Sequence, residues 1–230
     1  MYFEHTDHVW KLHPGLNALT IVVAGVRDMR RREERTREWL ARTEQRLASG
    51  PESAMPEIAA WRDAFGKMGL KPTQYRCASE ALLRRYRKEK SLPALHPLVD
   101  LLNVVSMVYA IPIALFDCAR IGAGISVRPA SGSEIYETFQ GENENPVQNE
   151  IIFSDEAGNA HSRRWTHRQS ARSAVNGETA DALIVAEALH AQARGDIASL
   201  ERELTPQLQE AGLTTVHVMK IDAERRRLEF

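Results

Sequence analysis

The stretch HPLVDLLNVVSMVYAIPIALFD, residues 96–117, holds the clearest structural signals in this chain. Pro97 suits the first turn of a helix, because its missing N–H would have no helical partner there. Apolar residues then recur at helical spacing as far as Tyr109, which predicts a buried helix over residues 97–109. The segment 111–116 is short and apolar, which is typical of a core strand.

Upstream of this stretch the patterns favour helices. Residues 16–26 predict a buried strand, because most of the apolar residues Leu19, Ile21, Val22, Val23 and Val26 are β-branched, and a polar helix is predicted over residues 28–48. Apolar residues at helical spacing between Ile58 and Met68 predict another helix that ends at Gly69. Ser79 is placed to cap a helix that runs to Glu89.

Downstream the pattern changes to short strands, at residues 111–116, 124–128, 135–139, 150–154 and 160–165. Residues 155–158 predict the hairpin turn between the last two. Asn176 is expected to cap a helix that runs to residue 193 and stops at Gly195, followed by a helix interrupted at Pro206 and a strand over residues 214–221. Helices, then antiparallel strands, then helices predict an α+β fold in one domain spanning residues 1–230.

The composition is that of an ordinary globular protein, with 43% hydrophobic residues, 27% charged residues and a net charge of −1. No apolar run reaches the roughly 20 residues that cross a bilayer. The two cysteines fit a reducing compartment, so we expect a cytoplasmic protein without a membrane partner. His5 and His8 are expected on a mobile terminus, and the histidine spacings give no metal site and no cofactor.

Basic residues are clustered despite the near-neutral total. One run lies at residues 84–90, a second at residues 163–172, and a third at residues 30–37, where interleaved glutamates indicate a solvated helix face. Polar residues also interrupt apolar patterns, since Asn103 and Ser106 share one face of the helix over residues 97–109. The simplest interpretation of Asn103 is a hydrogen-bonded amide within the core.

Four motifs together resemble the B3/B4 domain of the bacterial phenylalanyl-tRNA synthetase β subunit and its free-standing relatives. The first two are residues 96–117 and IGAGISVRPASGSE (121–134), similar to a synthetase pattern VVD-x-TNYVMLE-x-GQPLHAFD followed by a strand and GE. The others are PTQYRCASEALLRR (72–85) and EIIFSDEAGNAHSRRWTHRQSARS (150–173). The resemblance covers residues 61–189, in the same motif order.

This resemblance implies a B3/B4-type fold, with a β-sandwich-like core flanked by helices. In the synthetase the domain hydrolyses tyrosine wrongly attached to tRNA, and free-standing relatives deacylate mischarged tRNA in trans, some clearing canavanine from arginine tRNA. We therefore expect a trans-editing deacylase, an ester hydrolase acting on mischarged aminoacyl-tRNA. DNA is not an expected partner.

The resemblance also assigns residues, and a water-based mechanism suits an already activated ester. The expected catalytic residues, which would hold the carbonyl and one water, are Asn103, Gln169 and Ser170. The expected substrate pocket consists of Leu102, Ser106, Ala114, Trp165 and His167. The expected tRNA-binding residues are Arg84, Arg85, Arg87, Lys88, Arg168 and Arg172. Leu102 and Ala114 replace a threonine and a histidine of the synthetase, so tyrosine specificity is not expected.

Two other functions remain open from the sequence. A non-catalytic tRNA-binding or interaction module would keep the fold and bind tRNA with salt-dependent affinity. A small-molecule hydrolase would use the same pocket on simple amino-acid esters. Family resemblance ranks the deacylase first, although a fold alone does not establish chemistry.

Overall fold

The computed structural model describes residues 1–30 and 33–230, and the side chains of residues 33–35 lie outside the description. The strands are β1 (Tyr2–His5), β2 (Asn17–Ala24), β3 (Ile113–Asp117), β4 (Gly124–Pro129), β5 (Tyr136–Glu137), β6 (Asn143–Glu144), β7 (Ile151–Ser154), β8 (Ala160–Arg163), β9 (Arg168–Gln169), β10 (Asp181–Ala188), β11 (Thr214–Ile221) and β12 (Arg227–Glu229). The helices are α1 (Asp7–Leu12), α2 (Glu33–Ala48), α3 (Pro56–Lys67), α4 (Ala78–Glu89), α5 (Pro97–Tyr109) and α6 (Ala193–Glu210). Part of the predicted helix over residues 28–48 lies outside the described residues.

Two packed sheets form the centre of the fold. An antiparallel sheet has the order β11-β2-β10-β3, and a mixed sheet has the order β12-β1-β4-β7-β8-β9 with β1 and β4 parallel. Phe116 on β3 and Phe153 on β7 join the two sheets, with ring centroids 5.4 Å apart. Phe3 on β1 contacts the same Phe153 ring at 5.9 Å. The predicted sandwich-like core flanked by helices is confirmed.

The helices cover the antiparallel sheet. Helix α6 contacts β2, β10 and β11, while α5 contacts α2, α4, α6 and β3. Most of α5 is buried, as expected for a helix that is apolar on nearly all sides. Its bounds match the prediction from the sequence, and Ala110 ends it in the left-handed conformation with φ 52°.

The segment 176–193 is not the helix that its sequence predicted. Residues 181–188 form β10, which pairs with β2 on one side and β3 on the other. Because both faces of β10 are buried, its apolar residues carry no alternation that would separate a strand from a helix. Asn176 instead accepts from the Glu178 N–H in a turn, and Gly195 lies inside α6.

Three smaller predictions also need correction. Ser79 does not cap α4, because Cys77 occupies that position and the Ser79 hydroxyl donates to the Ala110 carbonyl at 3.0 Å. Pro206 lies within α6 without ending it. His5 is buried on β1, rather than in a mobile terminus.

No helix among the described residues combines the length and the apolar character that crossing a membrane requires.

Candidate functional site

The turn between β8 and β9 has an unusual backbone. Arg163 pairs with Arg168 across this hairpin, and the strand predicted to reach Trp165 ends at Arg163. Arg164 and Trp165 both have positive φ, at 48° and 57°. Consecutive non-glycine residues in this region are strained, and such strain persists only where the surroundings enforce it.

Several contacts enforce the conformation of this turn around Trp165. The indole is fully buried, and its Nε1 donates to Glu187 Oε1 at 2.9 Å. The Trp165 N–H donates to the Ile151 carbonyl at 2.6 Å, and the Trp165 carbonyl accepts from the Ser162 hydroxyl at 2.7 Å. The turn is therefore anchored to both sheets at once.

A narrow cleft lies beside this turn, between the start of β3 and the β8–β9 hairpin. Its lining residues are Ala78, Pro112, Ile113, Ala114, Phe153, Ser162, Trp165, Thr166, His167, Arg168 and Gln169. The cleft has a volume of about 50 Å³, which is enough for ordered water. It brings together four of the predicted site residues, Ala114, Trp165, His167 and Gln169, and one predicted tRNA-binding residue, Arg168.

His167 is the side chain lining the cleft that could act as a general base. Its Nδ1 lies 2.8 Å from the Arg76 carbonyl, which can only accept, so Nδ1 carries the proton. Burial lowers the pKa of His167, and the positive charges of Arg164 and Arg168 lower it further against the effect of the Arg76 hydrogen bond. The ring is therefore neutral at pH 7, with the Nε2 lone pair free of any described partner.

Two further polar side chains border the cleft. The Gln169 amide donates to the Leu115 carbonyl, which fixes the side chain against β3. The Thr166 hydroxyl is buried and has no partner among the described residues. A buried hydroxyl without a partner costs about 1–3 kcal/mol, so a hydrogen-bonding group that reached Thr166 when the cleft widens would recover this cost.

Ser170, an expected catalytic residue, does not face the cleft. It is fully buried, its N–H donates to the His161 carbonyl at 2.9 Å, and its hydroxyl donates to the Glu137 carbonyl at 2.9 Å. Both of its donors are therefore already used within the fold.

Asn103 borders a different cavity, a groove of about 460 Å³ between α2, α5 and the end of α4. The lining residues of this groove are Met29, Thr36, Arg37, Leu40, Tyr86, Lys90, Ser91, Leu92, Pro93, Ala94, Pro97, Asp100, Leu101, Asn103 and Val104. Leu102 and Ser106 face the core instead, and the Ser106 hydroxyl donates to the Ile111 carbonyl at 2.7 Å.

The structure does not bring Asn103 together with the β8–β9 turn in one cavity, contrary to the expectation from sequence. The cleft includes Ala78 at the start of α4, whereas the groove includes Lys90 just beyond its end. Twelve helical residues at 1.5 Å each separate these positions by about 18 Å. The two cavities lie at opposite ends of α4.

The predicted tRNA-binding cations on α4 are largely in ion pairs. Arg84 and Arg87 share the buried carboxylate of Glu52, at 3.2 and 3.0 Å, and Arg85 pairs with Glu89 at 2.9 Å. Lys88 has no ion pair with a described residue. These pairs reduce the positive field that the run of charges indicated.

The two cations near the cleft differ from each other. Arg168 lies 3.5 Å from Glu144 and stacks over the Tyr136 ring at 5.3 Å. Arg172 is exposed and forms no ion pair with a described residue.

One group of possible metal ligands occurs among the described residues, formed by Glu57, His190 and Asp196. Arg46 already contacts both carboxylate oxygens of Glu57 at 2.8 Å, and His190 Nε2 lies 2.7 Å from Asp196. Because these pairs already engage both Glu57 oxygens, His190 Nε2 and Asp196, we assign no ion to the group.

Glu187 is the residue near the cleft that sequence reasoning missed. It is buried on β10, contacts His5 Nε2 at 2.6 Å and accepts from Trp165. The sequence did indicate a special role for this residue, because Glu187 is the one charged residue in the apolar run ALIVAEAL, at residues 182–189. A lone charge in a buried apolar run needs a partner.

Comparisons with known proteins agree with this fold. Residues 60–217 match the B3/4 domain family. The fold is similar to the crystal structure of an N-terminal fragment of the phenylalanyl-tRNA synthetase β subunit from Pyrococcus horikoshii, with a TM-score of 0.51 and 9% identity. The similarity covers 95% of this chain but 53% of that fragment. No curated protein matches the sequence significantly. The chain belongs to the B3/4 domain family.

Proposed function

We propose that this protein is a trans-editing deacylase, which hydrolyses the ester bond of a mischarged aminoacyl-tRNA. Membership of the B3/4 family and the similarity of the fold to part of a tRNA synthetase subunit support a role connected with tRNA. The observation that carries the hydrolytic part is His167, an imidazole whose Nε2 has no described partner, at a cleft that is also bordered by the unpaired Thr166 hydroxyl.

The proposed reaction needs one water and no covalent intermediate. His167 Nε2 takes a proton from the water while the water oxygen bonds to the ester carbonyl carbon. The bond from that carbon to the ribose oxygen then breaks, and the proton passes from His167 to the departing ribose oxygen. The buried Thr166 hydroxyl is the proposed donor to the carbonyl oxygen as negative charge develops there.

The conformation of the turn supports this assignment. Positive φ at Arg164 and Trp165 turns the chain sharply enough for Thr166 and His167 to border the cleft directly after β8. Strained backbone is often found where geometry serves function. Trp165 would form the rigid back wall, because Glu187 holds its indole.

The groove offers the alternative site, with Asn103 as its polar group. Its volume of about 460 Å³ falls within the roughly 300–1,000 Å³ of typical ligand pockets, whereas the cleft is far smaller. If the cleft is the acyl site, it has to widen when substrate binds. If the groove is the site, Asn103 is needed and His167 is not.

Paired substitutions separate the two sites. Purified wild-type protein is incubated with a panel of mischarged tRNAs, and the release of each amino acid is measured in single turnovers. We expect His167→Ala and His167→Gln to lower the rate by about 100-fold or more, the usual contribution of a general base. Asn103→Ala should stay within twofold of wild type. The reverse pattern would place the reaction in the groove.

The second candidate function is a non-catalytic tRNA-binding module, and the small volume of the cleft favours it. That protein would bind tRNA with an affinity that falls as salt rises, and it would release no amino acid from any member of the panel. Such a result would remove the deacylase proposal even if tRNA binds tightly.

A further inference from the structure

A polar basin lies next to the cleft on the mixed sheet. It has a volume of about 530 Å³ and is lined in part by the segment that follows β9, whereas β9 itself lines the cleft. Its lining residues are Ala119, Arg120, Ile121, Gly122, Glu137, Asp155, Ala157, Asn159, Ala171, Arg172, Ala174 and Asn176. Gln169 in the cleft and Arg172 in the basin are three residues apart, so their Cα atoms lie within about 11 Å of each other.

Two exposed arginines of the basin, Arg120 and Arg172, have no ion-pair partner among the described residues. Unlike Arg62, which pairs with Glu80, and Arg163, which pairs with Glu150, these two guanidinium groups are not neutralised within the fold. Two guanidinium groups without ion-pair partners around one concave surface favour an anion, and phosphate suits their geometry.

The acidic groups of the basin have different roles. Asp155 accepts from the N–H groups of Asn159 at 2.9 Å and Gly122 at 3.1 Å, and it lies 3.2 Å from His161. Its charge is therefore used within the fold. The Glu137 side chain, in contrast, has no partner among the described residues, although its main-chain carbonyl accepts from Ala171 at 3.0 Å.

A free carboxylate beside a phosphate-binding surface is suited to a ribose hydroxyl. Phe139 does not line the basin, but it lies two residues beyond Glu137, with Cα atoms within about 7 Å of each other, and is 68% exposed. Exposed aromatic side chains stack on unpaired bases at about 1–3 kcal/mol for each base. Phosphate, ribose and base thus each have a matching group.

We propose that the basin binds the unpaired terminal nucleotide of tRNA, with Arg120 and Arg172 on its phosphate, Glu137 on a ribose hydroxyl and Phe139 against the base. This inference rests on the proposed function, since it places the nucleotide so that its ester reaches the cleft. It adds Arg120, Glu137 and Phe139 to the surface that recognises the substrate.

The test measures binding without catalysis. The probe is the uncharged trinucleotide CCA with a 5′-phosphate and a fluorescent label, and its Kd is measured by anisotropy over a range of salt. Arg120→Ala and Arg172→Ala should each weaken binding at least fivefold and lower the slope of log K against log salt by about one. Phe139→Ala should weaken binding at least fivefold, whereas Phe139→Trp, which keeps an aromatic ring, should bind about as tightly as wild type.

The matched control is Arg202→Ala on α6, which removes an exposed arginine whose described contact is Ser199. It should leave the Kd unchanged. Unchanged binding in both basin arginine variants would overturn the inference, as would competition by inorganic phosphate as effective as that by unlabelled trinucleotide. If wild type deacylates tRNA but the basin variants bind the trinucleotide normally, only this inference is wrong. If the basin variants lose binding but wild type releases no amino acid, only the proposed reaction is wrong.

Discussion

Glu187 accepts a hydrogen bond from the Trp165 indole at 2.9 Å, across the space between the two sheets. Glu187 belongs to β10 of the antiparallel sheet, and Trp165 belongs to the turn that follows β8 of the mixed sheet. This contact ties the turn that borders the cleft to the centre of the fold. Stability and the geometry of the candidate site are therefore coupled through one buried carboxylate.

Glu187→Ala is expected to lower the free energy of unfolding by about 3–5 kcal/mol, because it leaves His5 and Trp165 without a partner in the core. Glu187→Gln keeps an oxygen acceptor and should cost about 1–2 kcal/mol. Urea denaturation followed by circular dichroism checks both values. If both variants lose the same free energy of unfolding, the hydrogen bonds accepted by Glu187 do not account for its contribution to stability.

Two glycine substitutions should have opposite effects on stability. A Cβ on Gly124 would lie 2.6 Å from the Tyr2 carbonyl oxygen and 2.4 Å from the Tyr2 ring, so Gly124→Ala should disrupt the pairing of β1 with β4. Gly195 lies inside α6, with nothing within 4 Å of an added Cβ. Gly195→Ala should therefore raise the free energy of unfolding by about 0.5–1 kcal/mol. Thermal melting of both variants checks the pair.

Filling each cavity in turn distinguishes their roles. Ala114→Phe places a ring in the cleft, and Ala94→Phe places one in the groove. We expect the first to abolish deacylation and the second to change it by less than twofold. Circular dichroism confirms that both variants fold. Loss of activity in Ala94→Phe alone would assign catalysis to the groove.

The pH dependence of deacylation should follow His167. Because the pKa of this residue is lowered, its neutral form persists below the ordinary histidine value of about 6.5. The single-turnover rate is expected to be flat near pH 7 and to fall with unit slope at a midpoint below 6.5, as Nε2 becomes protonated. A midpoint above 6.5, or a profile that His167→Gln leaves unchanged, would argue against a general base here.

Glu134 should contribute to acid lability. Burial alone would raise its pKa, but hydrogen bonds from the Ser131 N–H and from Arg128 lower it to about 2. A carboxylate with a depressed folded-state pKa stabilises the protein above its unfolded pKa, near 4.3, and this stabilisation disappears as the pH falls toward 2. Glu134→Gln should be less stable than wild type at pH 7, and the difference should shrink between pH 4.5 and 2 in urea titrations.

Where side-chain pattern and local chemistry agreed, the sequence predicted the fold well. Helix α5 and strand β11 have the predicted bounds, and Gly69 ends the segment after α3 with a positive φ of 74°. Helix α5 has a proline in its first turn and Gly69 has the positive φ typical of a helix end, so these signals act over a few residues.

The prediction from the sequence was wrong where burial on both faces of a strand left no alternation of apolar and polar residues. Strand β10 reads as a helix because every side chain from Ala182 to Ala188 is buried, and its partners β2 and β3 lie far away in the chain. Strands β1 and β12 were missed because they are short and pair with each other across the whole chain length.

The sequence by itself determined the family motifs, the α+β class and the arginine-rich segment at residues 163–172. Only the tertiary structure decided which residues share a cavity, placing Ala114, His167 and Gln169 at the cleft and Asn103 at the separate groove. The physical reason is that spacing along a chain fixes which face of an element a side chain occupies. What that face meets depends on how sheets and helices pack, and packing is set by contacts between residues distant in sequence.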